Sequence, residues 1–231
     1  LFFLGFPWAT CIDKRVNTND IFKMIIKFNQ KKEYYTCCQH IHFRKFINLF
    51  KLLGITTVYT PHKIKEEDEI NGVKLIACPL YAVNIEDNSR NKEFKNVDFL
   101  NNEREVLYSF MGGYHKGYLT SIRQNIFNME HPSNAVVINT GGWHFESTVY
   151  SSKQNKQGDL NINNNHTNDK TKYNNLLINS TFSLCPSGSG PNSIRFWESL
   201  ACGSIPVLLA DTLDLIEDID WDNTIIRVKE H

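Results

Sequence analysis

The stretch from Thr181 to Ala210 constrains this chain more than any other. An apolar run, TFSLC, leads through a Gly/Ser turn, PSGSGPNS, into the segment IRFWESLACG and a second apolar run, SIPVLLA. Short apolar runs flanking a helix-period segment that stops at glycine predict one β–loop–α–β unit. Such a unit offers an anion site, because loop amides and the helix dipole both face whatever lies beyond the strand end. At about 100° per residue, Arg195, Glu198, Ser199 and Cys202 share one flank of the helix, while Ile194, Phe196, Trp197, Leu200 and Ala201 fill the other. An Arg and a Glu on one stripe beside a phosphate-type loop point to nucleotide binding. The alternative is an i,i+3 ion pair on the helix surface.

The rest of the chain permits that reading. Its 231 residues suffice for one large domain or two of about 100 to 130 residues. With 25 basic and 25 acidic residues the net charge is zero, so no basic field argues for nucleic acid or a membrane surface. No apolar run reaches the roughly 18 residues needed to span a bilayer. The opening LFFLGFPWA is short and lacks a basic flank, which predicts a buried first strand and not a signal peptide. Because the chain starts without Met and stops just after an apolar run, a longer parent polypeptide is expected. Six scattered cysteines without C-x-x-C spacing read as buried free thiols in a reducing compartment, and hence as a cytoplasmic protein. The sequons at Asn165 and Asn179 would matter only in a secretory lumen such as the Golgi.

Along the chain the pattern alternates helix and strand in two halves, with a boundary expected near residue 100. In residues 1–100, Ile21–Phe28 and Ile41–Leu53 read as helices, and Gly54 ends the second. Ile55–Tyr59 and Gly72–Cys78 read as strands, and the charged passage Glu86–Glu105 as the crossing between domains. In residues 101–231, a strand from Val106 to Met111 leads into Gly112-Gly113, a helix from Tyr118 to Met129 and a strand from Ala135 to Asn139. Ser151–Asn175 is polar and of low complexity, an exposed insertion from which Tyr173 and Leu176-Leu177 lead back into the core. Short, non-alternating apolar runs favour parallel strands covered by helices on both faces. The expected class is α/β, with two Rossmann-like domains facing across a cleft.

Other motifs do not fit the glycine loop. No Lys follows it as in a P-loop, Ser189 lacks the glycine two residues earlier of a nucleophile elbow, and G-x-G-x-x-G is absent. The segment from Tyr173 to Asp211 instead resembles the signature of the exostosin family, glycosyltransferase family 47: a Tyr, a Ser, an F-x-L-x-P-x-G loop, an Arg, then E-S-L-x-x-G-x-I-P-V. Ile219-Asp220-Trp221, Val228-Lys229-Glu230, the run from Tyr108 to Gly113 and Arg123 fit as well. Residues 106–231 carry the match; the first hundred resemble viral or microbial members and are less specific. The resemblance implies a GT-B architecture, inverting transfer from a UDP-sugar to a glycan acceptor, and no required metal or other cofactor. Xylose, galactose and glucuronic acid all occur as donor sugars in such enzymes.

On that basis the backbone amides of Ser187, Gly188, Ser189 and Gly190, with Asn192 and the hydroxyls of Ser187, Ser189 and Ser193, are expected to hold the pyrophosphate. Arg195 would neutralise the departing diphosphate, and Glu198 suits the ribose hydroxyls. Gly112 and Gly113 would admit the nucleotide closely, with Arg123 a second cation. Inversion needs a base, for which Asp13 and His62 are the candidates, followed by His40 and His42. His62 has a suitable intrinsic pKa near 6.5, whereas Asp13 would need orienting or desolvating. Trp143 could stack on the sugar with His144 beside it, or be a core Trp. Asp218-x-Asp220 resembles a metal-binding D-x-D, but no metal is assigned to it. The alternative to an enzyme is a non-catalytic module that binds a nucleotide sugar or glycan.

Overall fold

The computed structural model describes residues 1–27, 33–82, 91–141 and 164–231. They form two compact units, residues 1–80 with 212–219 and residues 81–211 with 220–231. The chain thus leaves the first unit before the charged passage, and Phe94 within that passage is buried in the second.

The first unit is a sheet of strands β1 (Phe2–Phe3), β2 (Tyr34–Cys37), β3 (Ile55–Thr60), β4 (Glu69–Ile70) and β5 (Val73–Ala77). Its order is β1-β2-β3-β5-β4, parallel except for β4, which runs antiparallel to β5. Aromatic and β-branched residues fill β2 and β3, as a pleated, half-buried surface favours. Helices α1 (Trp8–Asp13), α2 (Thr18–Ile26) and α3 (Ile47–Leu52) accompany it. The region expected as one helix from Ile41 is a 3-10 turn, Phe43–Phe46, running into α3. Phe43, Phe46, Ile47, Phe50 and Leu53 are all buried there, and Gly54, at φ +76°, ends the element.

The opening residues depart from expectation. Only Phe2 and Phe3 form a strand, and both are exposed, because among the described residues β1 has a neighbour on one side only. Trp8, just after Pro7, begins α1 instead; it is buried against Phe50 and donates its indole N–H to Thr36 at 2.7 Å. Residues 212–219 return to this unit through a bridge between Ile64 and Leu213. Beside it the buried Lys63 ammonium donates to Asp68 at 2.6 Å and to Asp214.

The second unit is a wholly parallel sheet of β6 (Val106–Gly112), β7 (Val136–Asn139), β8 (Ser180–Pro186), β9 (Ile205–Leu209) and β10 (Ile226–Arg227), in the order β10-β9-β8-β6-β7. Helix α4 (Ile122–Asn128) joins β6 to β7, and α6 (Ile194–Ala201) joins β8 to β9. The part of the Asn-rich segment that is described is no exposed insertion. Residues 164–179 form helix α5, in which Asn174 and Leu177 are buried. Its apolar and aromatic residues cluster in the last two turns, enough to dock a polar helix by one end. Arg104 secures the ends of α5 and α6, donating to the carbonyls of Leu177, Ile178, Ser180, Phe99 and Cys202 at 2.7–3.1 Å. The Leu177, Ile178 and Cys202 carbonyls are acceptors that helix termini leave unpaired.

Candidate functional site in the second unit

In the second sheet the strand order reverses at β6. From it the chain moves through α4 to β7 on one side, while β8 and β9 lie on the other. In open α/β sheets ligands bind beyond the carboxyl ends of strands at such a reversal. Gly112 ends β6, Pro186 ends β8, and the loop from Ser187 to Ser193 leads into α6 at that point.

Arg195 lies in the first turn of α6 and is 8% exposed. Its guanidinium sits 4.8 Å from the Phe110 ring centroid and 5.0 Å from that of Tyr173, and donates through Nη2 to the Met111 carbonyl. The Nε–H is buried and has no hydrogen-bond partner among the described residues. An unmet buried donor is costly, so this Nε–H calls for a further acceptor such as water or an anion. Glu198 is 3% exposed and accepts from the Tyr173 hydroxyl at 2.5 Å. Burial above all, then the neighbouring carboxylate, raises the Tyr173 pKa well above the usual tyrosine range. The two charges therefore do not form a pair on the helix surface. The polar stripe of α6 is its buried face, whereas Ile194 is exposed, because the core here is a charged network between rings.

Arg123 is a clamp. It donates to the carbonyls of Ser187 at 2.7 Å and of Gly113 and Pro186 at 3.3 Å, stitching together the turns that follow β6 and β8. Burial, with Arg195 close by, lowers its pKa to about 10. Gly188 leaves room for this clamp: a Cβ there would lie 2.8 Å from Arg123 Nη2 and make the guanidinium shift.

The loop differs in detail from the expected cradle. The amide of Ser187 donates to Leu209 O at 2.8 Å and that of Gly188 to Gly190 O at 3.0 Å, so neither faces a ligand. The Ser187 hydroxyl is buried and donates to Glu230. Asn192 accepts from the Trp197 indole at 3.1 Å and braces the turn. Ser189 is exposed. Ser193 is the N-cap residue, yet its side chain makes no capping hydrogen bond to the first amides of α6.

The sequence marks Tyr173 and Glu230 only as parts of the family signature, with no role attached, and Thr120 carries no signal at all. Tyr173 arrives from α5, Thr120 from the turn before α4, and Glu230 from beyond β10. Trp143 and His144 lie outside the described residues. Asp220 caps the 3-10 turn Trp221–Asn223, accepting from Asn223 N at 3.3 Å, which matches an ordinary acidic turn.

The base candidates gather in the first unit, around the carboxyl ends of β2 and β3. Asp13, at the end of α1, accepts from His40 Nε2 at 2.9 Å. The His42 amide donates to His40 Nδ1 at 2.9 Å, which places the imidazole proton on Nε2, facing Asp13. The Asp13 side chain is 24% exposed, so an oriented carboxylate meets solvent. His62 is different. It is 4% exposed, and burial lowers its pKa to about 4, aided by His40, Arg44 and His42, so it is a weaker base than its sequence context implied.

The family comparisons agree with this geometry. Residues 41–231 match the model of the Exostosin GT47 domain. The chain is 32% identical over 168 residues to the Exostosin-1 homolog of Caenorhabditis elegans, covering 70% of this chain and 42% of that protein. It is 32% identical over 130 residues to Exostosin-1 of Drosophila melanogaster, covering 55% and 16%, and 29% identical over 133 residues to Exostosin-1b of Danio rerio, covering 53% and 16%. The chain thus spans less than half the length of these relatives. With a domain match over most of its length and the signature residues gathered at the strand-order reversal, this chain belongs to the exostosin GT47 family.

Proposed function

We propose that this chain is the transferase part of an inverting glycosyltransferase that moves a sugar from a UDP-sugar to a hydroxyl of a glycan acceptor. The observation carrying the reading is Arg195, held between two rings at the start of α6, with its Nε–H unpartnered among the described residues. A diphosphate oxyanion supplies the missing acceptor, and helix N-termini are suited to hold one. As the bond from the anomeric carbon to the diphosphate breaks, negative charge grows on the leaving oxygen. A preorganised guanidinium stabilises that charge more in the transition state than in the ground state. The acceptor oxygen forms the new bond to the anomeric carbon, and its proton passes to a base. Asp13, oriented by His40, is the group assigned that role; His62, neutral and weakly basic, serves the reading less well. The Ser189 hydroxyl and the first amides of α6 are assigned to the diphosphate, with Gly112 and Gly113 admitting the nucleotide. Glu198 is assigned to fixing Tyr173, and so the Arg195 pocket, in preference to the ribose.

UDP release from a panel of UDP-xylose, UDP-galactose and UDP-glucuronic acid, with and without oligosaccharide acceptors, tests the proposal. Release that disappears in Arg195→Ala supports it. UDP binding with no transfer to any acceptor favours a binding module, and preference for adenine over uridine nucleotides refutes the donor assignment.

A further inference from the structure

Beneath the loop that precedes α6 lies a carboxylate that the transfer reading leaves unused. Glu230 is 5% exposed. Its Oε1 accepts from the Thr120 hydroxyl at 2.9 Å and from the Ser187 hydroxyl, its Oε2 accepts from the Asp211 amide at 3.2 Å, and its own amide donates to Asp211 Oδ2 at 3.2 Å. One side chain therefore ties together the turn before α4, the loop after β8 and the end of β9. A buried carboxylate persists only when donors converge on it, and here they do.

The placement is informative because a negative charge under an anion seat would repel the ligand unless its donors faced inward. They do face inward: Ser187 gives its hydroxyl to Glu230 and its amide to Leu209 O, while its carbonyl takes Arg123 Nε. Every polar atom of Ser187 is thereby held, and the loop it begins has its conformation set before a ligand arrives.

The geometry points to Glu230 as a positioning residue for the donor diphosphate. It locks Ser187 and Thr120 so that the following loop and the α6 amino end are presented in one arrangement, without touching the ligand. This inference rests on the reading that the loop seats a nucleoside diphosphate. Pre-setting a loop raises affinity by removing the cost of ordering it on binding.

The test is a mutant cycle on the full chain with Glu230→Gln, Ser187→Ala and the double variant. It is read by UDP affinity in calorimetry and by amide hydrogen exchange of the ligand-free protein. Glu230→Gln and Ser187→Ala should each weaken UDP binding about tenfold, and the double variant little further, because both break one lock. Exchange at Gly188–Gly190 should accelerate while the strands keep their protection. Additive losses, UDP affinity unchanged in Glu230→Gln, or protection lost across the whole sheet would each overturn the positioning role. A wild-type chain that binds no nucleoside diphosphate would sink the donor reading and this inference together. Wild-type binding with an indifferent Glu230→Gln would sink this inference alone.

Discussion

Tyr173 donates its hydroxyl to Glu198 at 2.5 Å while its ring lies 5.0 Å from the Arg195 guanidinium, so one side chain from a polar helix holds both charges of α6. The ring fixes the cation and the hydroxyl satisfies the anion. Tyr173→Phe separates these contributions: it keeps the ring and removes one donor from a buried carboxylate. A stability loss of about 1–3 kcal/mol is expected in urea denaturation, with larger losses for Tyr173→Leu, which also removes a face from Arg195. Equal stability of wild type and Tyr173→Phe would contradict the assignment.

Arg195→Lys tests whether charge alone suffices. An ammonium cannot reproduce a planar group lying between the Phe110 and Tyr173 rings while donating to Met111 O. Under the proposed function, Arg195→Lys should recover only part of the ~10²–10³-fold loss in kcat expected of Arg195→Ala. Full recovery by lysine would mean that the stacked geometry is irrelevant to turnover.

Gly188→Ala places a Cβ 2.8 Å from Arg123 Nη2. The guanidinium must then shift and loosen its grip on the Ser187 and Pro186 carbonyls, at a cost of about 1–3 kcal/mol. Combining the change with Arg123→Ala should give less than the sum of the two losses. Strict additivity in thermal or chemical denaturation would argue against the contact.

Gly203 has φ +68°, and a Cβ there would stand 2.6 Å from the Phe99 carbonyl oxygen. Neither backbone can yield easily, since Arg104 joins Phe99 O to Cys202 O. Gly203→Ala should therefore destabilise the second unit more than Gly188→Ala does, where the obstacle is a flexible side chain. Denaturation midpoints of the two variants decide the order.

His62 predicts a pH dependence. Its pKa falls from the 6.5 of an exposed histidine to about 4 in the folded chain, so the unfolded state binds the proton first as pH drops. The folded state should keep its full stability above about pH 6.5 and lose up to about 3 kcal/mol on acidification toward pH 4. The difference between wild type and His62→Gln, measured by denaturation across that window, isolates this contribution. A difference that stays constant with pH would show that the histidine is not held neutral.

Much of the layout was legible because it rests on local patterns. The strand–loop–helix–strand unit from residue 180 to 209 follows from apolar runs and a glycine stop, and Gly54 ends its helix as its position suggested. Legibility failed where the deciding partner is distant in sequence. The return of Tyr173 and Leu177 to the core is as the sequence suggests, but the Asn-rich run reads as solvent-exposed by composition, and its described part is helical with Asn174 buried. The exposed edge at Phe2 and Phe3 reads as core because composition cannot reveal that β1 lies at the end of the described strand order.

By itself the sequence determined the kinds of chemistry available: a glycine- and serine-rich turn ahead of a helix carrying Arg195 and Glu198, within an alternating α/β chain. Hydrophobic period and turn chemistry act over a few residues, so they are readable from neighbours alone. Only the tertiary structure decided which donors remain open. It spent the amides of Ser187 and Gly188, buried Glu198 under Tyr173, set Glu230 beneath the loop and left Arg195 Nε unmet. Hydrogen-bond satisfaction is settled by which segments meet in space, and here they come from residues more than a hundred positions apart, as Thr120 and Glu230 do.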